Sequence, residues 1–181
     1  MFSEAQKKEL LALARSSIVS HFEQARAVIP TDEAFSPKRG VFVSLHIGNE
    51  LRGCIGYIKG YKSIAASIVE MAAAAAFRDP RFGPLSKYEL DKINIEISVL
   101  SELIPLAEGE EPVIVRDGLY IEHPYGAGLL LPQVATEWHW SPNTFLKELC
   151  RKAGLSGDAY RDPKAVVYRF TAEVFSETGT F

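Results

Sequence analysis

Hydrophobic and polar positions repeat with two different periods along this chain, and the changes of period mark its elements. From Ser3 to residue 28, Leu10, Leu11, Ala14, Ile18, Phe22 and Ala25 recur at helical spacing, while Lys7, Lys8, Arg15 and Glu23 make a solvated face. Ser3 can cap this helix, Gln6 stands at the reciprocal capping-box position, and Pro30 stops it. Residues 31 to 40 form a loop. The period then drops to two. Val41-Phe42-Val43-Ser44-Leu45-His46 and Leu51-Arg52-Gly53-Cys54-Ile55-Gly56 read as the strands of a hairpin turning at Gly48-Asn49, because glycine tolerates a positive φ. A helix follows from Ser63 to about Phe77, with Ile64, Ile68, Met71 and Ala75 as its buried stripe. Its small residues, Ala72 through Ala76, let it lie close to a sheet. Asp79-Pro80 ends it, and Arg78 to Phe82 make a compact turn.

Ser86 and Glu89 form a second capping box on a short helix to Lys92. Ile93 to Val99 alternates strictly, odd positions apolar, as a half-buried strand does. Glu108 to Glu111 is an acidic loop. Val113-Ile114-Val115 and Leu119-Tyr120-Ile121 flank Arg116-Asp117-Gly118 and read as a second hairpin. Gly126-Ala127-Gly128 leads into a Leu129-Leu130-Leu131 strand, and Pro132 begins a helix carrying Val134, Ala135 and Trp138. Ser141-Pro142 starts the next helix, with the cap residue followed by proline at the first helical position. Phe145, Leu146, Leu149, Cys150 and Ala153 line its inner face, and Gly154 closes it. Ala165 to Phe175 is a last alternating strand. Helices interleaved with antiparallel hairpins predict an α+β fold.

Composition changes this picture little. The 181 residues are 47% hydrophobic and 24% charged, enough for one domain with a sizeable core, with or without a small lobe. A net charge of -3 gives no global pull toward nucleic acid. Two distant cysteines, Cys54 and Cys150, fit a reduced intracellular protein. The N-terminus lacks an apolar signal core, and the longest small-apolar run is too short to span a bilayer. A cytoplasmic protein is expected. His21, His46, His123 and His139 show no metal-ligand spacing, so no metal is expected.

The candidate chemistry lies around the first hairpin. Glycine weakens a strand, so Gly53 and Gly56 imply a bulge, a bend, or another chain or ligand close by. Cys54 reads either as a nucleophile activated by a cation such as Arg52 or as a small buried hydrophobe. With a two- or four-residue loop centred on Gly48-Asn49, Val43 lies opposite Cys54 and Leu45 opposite Arg52. Cys54 then shares the face of Val41 and Val43, and His46 falls on the other; a bulge at Gly53 would overturn this. Arg52, Arg78 and Arg81 can clamp a carboxylate or phosphate. Equally, Arg78 can complement a helix C-terminus and Arg81 can pair with Asp79 or Glu96. Glu96 is a general-base candidate if it is buried in a cleft wall. Gln133 ends an apolar run with a polar side chain. Trp138-His139-Trp140 reads as a stacking platform or as packing. Gly126-x-Gly128 precedes a strand, so it is no dinucleotide fingerprint. The Arg52–Cys54 strand, the Arg78-to-Phe82 turn and the Leu131-to-Gln133 segment are expected to converge on one concave surface, because each breaks a local rule that a plain core element keeps.

Five stretches carry a resemblance across nearly the whole chain. They are Leu51 to Gly56, Asp79 to Phe82, Ile95 to Ser101, Gly128 to Ala135, and Phe145-Leu146 with Cys150 to Leu155. The chain resembles the AMMECR-one domain family, whose prokaryotic members are called AmmeMemoRadiSam system protein A. Tyr160 stands where a tryptophan is expected. The resemblance implies an α+β fold of a larger and a smaller subdomain and no settled activity. It also implies association with a Memo-type protein and a radical S-adenosylmethionine protein. Since this chain has no cysteine triplet of its own for an iron–sulfur cluster, any radical chemistry would belong to a partner and no cofactor is expected here. Three functions follow: binding of a small anion or a partner segment beside modifying enzymes, catalysis by Cys54 with Arg52 and Glu96, or an adaptor domain without chemistry.

Overall fold

The computed structural model describes residues 1–23, 26–107 and 109–179. Among them the secondary structure runs α1 (Glu4–Glu23), β1 (Val41–Ile47), β2 (Glu50–Tyr57), α2 (Ile64–Phe77), β3 (Ile93–Leu100), β4 (Ile104–Pro105), β5 (Gly118–His123), β6 (Gly126–Leu130), α3 (Pro132–Glu137), α4 (Pro142–Lys152), β7 (Val166–Phe170) and β8 (Ala172–Ser176). This is an α+β fold with two antiparallel sheets, ordered β2-β1-β3-β8 and β4-β7-β5-β6. The chain divides into two compact units, residues 1–100 with 173–181, and residues 101–172.

In the first unit, Val41, Val43 and Leu45 of β1 and Ile93, Ile95 and Ile97 of β3 turn one sheet face onto α1 and α2, and all are buried. Leu10, Leu11, Ala14 and Ile18 meet them from α1, and Ile64, Ile68, Met71 and Ala75 from α2. The alternation predicted for both strands is therefore what closes this core. Ser3 and Gln6 form the expected capping box, with the Gln6 side chain accepting from the Ser3 N–H at 3.0 Å and the Ser3 hydroxyl accepting from the Gln6 N–H at 3.3 Å. Helix α1 is described from Glu4 to Glu23, residues 26–28 are not helical, so the predicted boundary at residue 28 is too far along the chain, and residues 24 and 25, Ala25 among them, lie outside the described residues. Ser63 caps α2 through Ala66 N–H.

The second unit has its own core of Leu119, Ile121, Ala135, Phe145, Leu146, Leu149 and Cys150. Two expectations are corrected here. The second hairpin is β5–β6, pairing Leu119 with Leu130 and His123 with Gly126, and not the 113–121 segment. The physical reason is Asp117. Its buried carboxylate accepts the Val113 N–H at 2.8 Å and a fork from Arg116 at 2.7 and 2.9 Å, curling residues 113–117 into a turn with Val115 at φ 80°. The alternating run from Ala165 to Phe175 is also two strands, β7 and β8, which belong to different sheets. An apolar period identifies extended chain, but it carries no information on which sheet receives it.

Candidate functional site

The first hairpin holds the largest departure from the sequence reading. Strands β1 and β2 turn at Gly48-Asn49, with Gly48 at φ +58° as its turn position demands. The register runs Ile47↔Glu50 and His46↔Leu51, then shifts to Leu45↔Gly53, Ser44↔Cys54 and Val43↔Ile55. Arg52 is the extra residue of a β-bulge. One inserted residue reverses every later side chain on a strand. Cys54 therefore faces away from the core with Ser44, and the expectation that it shares a face with Val41 and Val43 is corrected. By the same alternation His46 lies on the Cys54 side.

The row continues across the sheet, since Ser44 pairs with Glu96 on β3. Cys54, Ser44 and Glu96 thus stand side by side on three neighbouring strands, all half-buried. The next row is His46 with Asn94, and the row on the other side is Gly56, Phe42 and Ser98. The Ser44 hydroxyl donates to Cys54 Sγ at 3.2 Å. This short reach has a backbone cause. The Cys54 N–H donates outward to Asp79 Oδ2 at 2.9 Å, and its carbonyl accepts from Arg81 Nη2 at 3.1 Å. Both groups point away from β1, so Ser44 and Cys54 are a non-hydrogen-bonded pair, the kind whose side chains come closest.

The Asp-Pro-Arg-Phe turn is what holds the free edge of β2. Asp79 is buried, and Arg81 grips it with Nε at 3.0 Å and Nη2 at 2.7 Å. That guanidinium, aided by the Cys54 and Arg81 N–H groups and opposed by burial, keeps the Asp79 carboxyl well below the usual carboxylate range. In return Asp79 first, and the Cys54 thiol in lesser degree, raise the Arg81 pKa. Arg52 leaves the bulge to reach Glu89, with Nε at 2.7 Å from Oε1 and Nη2 at 3.3 Å from Oε2. Glu89 also accepts the Ser86 N–H, and Arg52 first and Ser86 second hold its pKa down to about 2. The Phe82 ring is near both guanidinium groups, its centroid 6.0 Å from that of Arg52 and 5.5 Å from that of Arg81.

Four of the expected site residues, Arg52, Cys54, Arg81 and Glu96, therefore gather on or beside three strands of one unit. Arg78 does not join them. It is the C-cap of α2, its N–H bonding Ala74 O at 2.8 Å, and its charge acts on the Tyr57–Glu70–Lys62 cluster. Gln133 is the second residue of α3 and belongs to the other unit. There, Trp138 and Trp140 stack with centroids 6.3 Å apart, Trp138 exposed and Trp140 against Phe145. Cys150 is fully buried, and burial pushes its thiol pKa up. The sequence reading passed over Ser44 and Asn94. Their signal was present in the polar positions of two alternating strands, but it needed the bulge to join them to Cys54.

The two antiparallel sheets and their helices make this an α+β protein, with its one half-buried cysteine on the bulged edge strand of the first hairpin. The chain matches the AMMECR1 family over residues 11–175 and belongs to that family. A protein of Methanothermobacter thermautotrophicus is 42% identical over 186 residues, covering 98% of this chain and 97% of its own length. One from Methanocella arvoryzae is 45% identical over 153 residues, covering 81% and 77%. The crystal structure of an uncharacterized protein from Pyrococcus horikoshii superposes with a TM-score of 0.88 at 35% identity, covering 98% of this chain and 94% of that one.

Proposed function

We propose that the β1–β3 face is a binding surface and that the Cys54 thiol is the group that meets the bound target. One observation carries this reading: the row of Cys54, Ser44 and Glu96 across three strands, turned away from the core by the bulge. A hydroxyl donor at 3.2 Å on its sulfur and a guanidinium on its own backbone carbonyl fix where the Cys54 thiol stands. Glu96, on the far side of Ser44, is the candidate proton acceptor. The structural role of the same residues is compatible with this one, since a reactive strand needs its edge fixed. The family resemblance supports a setting beside a Memo-type and a radical S-adenosylmethionine protein in a cytoplasmic modification pathway.

Anion binding by the arginines is the second reading, and Arg81, whose side chain is 55% exposed, favours it. Both the Arg52 and Arg81 forks already hold carboxylates, so an anion would compete with Glu89 and Asp79 for them. The first reading is tested by alkylating the native protein with iodoacetamide and mapping the label. Cys54, half-buried where Cys150 is fully buried, is expected to react at least roughly tenfold faster because access sets the rate, and Ser44→Ala, which removes the donor on its sulfur, is expected to slow it. Equal, slow labelling of both cysteines would defeat the thiol reading.

A further inference from the structure

The two edges of the first sheet are finished differently. At the β2 edge, Asp79 and Arg81 take up the outward groups of Cys54. At the other edge stands β8, which pairs with β3 alone among the described strands. The Glu177 N–H donates to Ile95 O at 3.1 Å, so residue 177 bonds inward to β3. Backbone groups alternate along a strand, so Phe175 bonds inward as well, and Val174 and Ser176 turn theirs to the open side. The Ser176 carbonyl accepts the Gly179 N–H at 3.3 Å. The Ser176 N–H and both Val174 groups are left without a partner among the described residues. Such an edge is a template for another strand.

A groove of about 470 Å3 opens beside this edge, between α1 and residues 175–179, within one unit. Leu11, Ala12 and Phe175 give it apolar surface. Lys8 and Arg15 join Leu11 and Ala12 in its α1 wall, because helical spacing sets all four on one face. The cations there are not equivalent. Lys7 is paired with Glu4 at 2.8 Å and Arg15 with Glu177 at 2.5 Å. Lys8 is exposed and has no ion pair among the described residues. The place therefore offers main-chain hydrogen bonds, apolar surface and one uncommitted cation. A small apolar anion would use the last two and leave the strand edge bare, whereas an extended peptide uses all three. We infer that the β8 edge and this groove form a docking site for an extended peptide segment of another protein. The segment pairs with Val174 and turns an apolar and an acidic side chain, two residues apart, toward α1. Alternate residues of a strand share a face, hence that spacing. The site lies at the opposite edge of the sheet from Cys54 and does not depend on the reading of that face.

Titration of the whole nitrogen-15-labelled protein with short peptides tests this. The probe is acetyl-Thr-Val-Thr-Leu-Thr-Glu-Thr-amide. It is expected to shift the amide signals of Val174, Ser176 and Lys8 to Ala12 saturably, and to slow hydrogen exchange at the Val174 amide. The same peptide with lysine in place of its glutamate should bind roughly fivefold more weakly, and Lys8→Glu should reverse that preference. N-methylation of the threonine between leucine and glutamate keeps every side chain but deletes one main-chain donor, and should weaken binding at least roughly tenfold. Val174→Pro removes the outward N–H at a position where an edge strand tolerates proline, and should abolish binding. If that variant does not fold, the N-methylated peptide and the Lys8 charge swap decide. No saturable shift at Val174 and Ser176, or equal binding of the N-methylated peptide, would overturn the docking site. A saturable shift with octanoate and none with the peptides would make the groove a small-anion site and overturn it too. So would a Val174 amide already protected in the free protein together with a dimer in sedimentation, because a second copy of the chain would then close the edge.

Discussion

Gly53 shows how one missing side chain sets a site. A Cβ built at this position would lie 2.2 Å from the Ala75 carbonyl oxygen of α2, a backbone atom that cannot turn aside. The helix therefore rests directly on β2. Both partners of this approach are visible in the sequence, the glycine in the strand and the alanine run in the helix, and the structure joins them. Gly53 sits on the core face opposite Leu45, and this fixes its neighbour Cys54 on the other face. Gly53→Ala is expected to cost about 1–3 kcal/mol as the helix is pushed away. Urea unfolding monitored by circular dichroism measures it, and an unchanged midpoint would mean that α2 yields without strain. The same displacement should lengthen the Ser44–Cys54 contact, so native labelling of Cys54 in this variant should slow as well.

At the level of elements, the Asp79-to-Phe82 turn works as a substitute strand. An unpaired sheet edge presents bare N–H and C=O groups, and proteins cover such edges. Here an aspartate accepts what a neighbouring strand would accept, and an arginine donates what it would donate, both at Cys54. Asp79→Ala should therefore raise the hydrogen-exchange rate of the Cys54 amide and lower stability by about 1–3 kcal/mol, the usual cost of a buried N–H left unpaired. A Cys54 amide that stays as protected as before would show that the edge has another cover. This logic also separates what was legible in the sequence from what was not. The hairpin, its turn at Gly48-Asn49, the helix caps at Ser3 and Ser63 and the clean strand at Ile93 depend on neighbours in sequence, and local pattern carries them. The bulge at Arg52 depends on Glu89, 37 residues away, and on the closeness of α2, and no period encodes either. The sequence reading names a bulge at Gly53 as the condition that overturns its register, and without it Cys54 falls on the wrong face. The turn of residues 113–117 was lost in the same way, because Arg116-Asp117-Gly118 has the composition of a hairpin loop while its Asp117 bonds back to Val113.

Across the whole molecule, the carboxylates that organise local structure are also its sensitivity to acid. In the first unit, Asp79 is held well below the usual range, chiefly by Arg81, and Glu89 is held at about 2, chiefly by Arg52. In the second unit, burial works to raise Asp117, but Arg116 and the Val113 N–H outweigh it and its pKa is lowered. A carboxyl whose folded pKa lies below its unfolded value of about 4 stabilises the fold fully above that value. The contribution is lost as pH falls toward the folded pKa, because the unfolded chain then binds more protons. Each unit carries such groups, so stability from this source should be level between about pH 7 and 5 and fall from about pH 4.5, with the Glu89 share largely gone near pH 2 and the Asp79 share persisting to lower pH. Arg52→Ala removes the larger of the two holds on Glu89 and leaves that of Ser86, so the Glu89 pKa rises toward the ordinary carboxylate value. The variant's stability deficit against wild type should therefore be greatest at pH 7 and shrink as the pH approaches 2, while Cys54, still held by Asp79 and Arg81, keeps its edge bonds. Urea unfolding of both proteins at pH 7, 4 and 2.5 measures this. A deficit independent of pH would assign Arg52 to packing against Phe82 and not to its pair with Glu89.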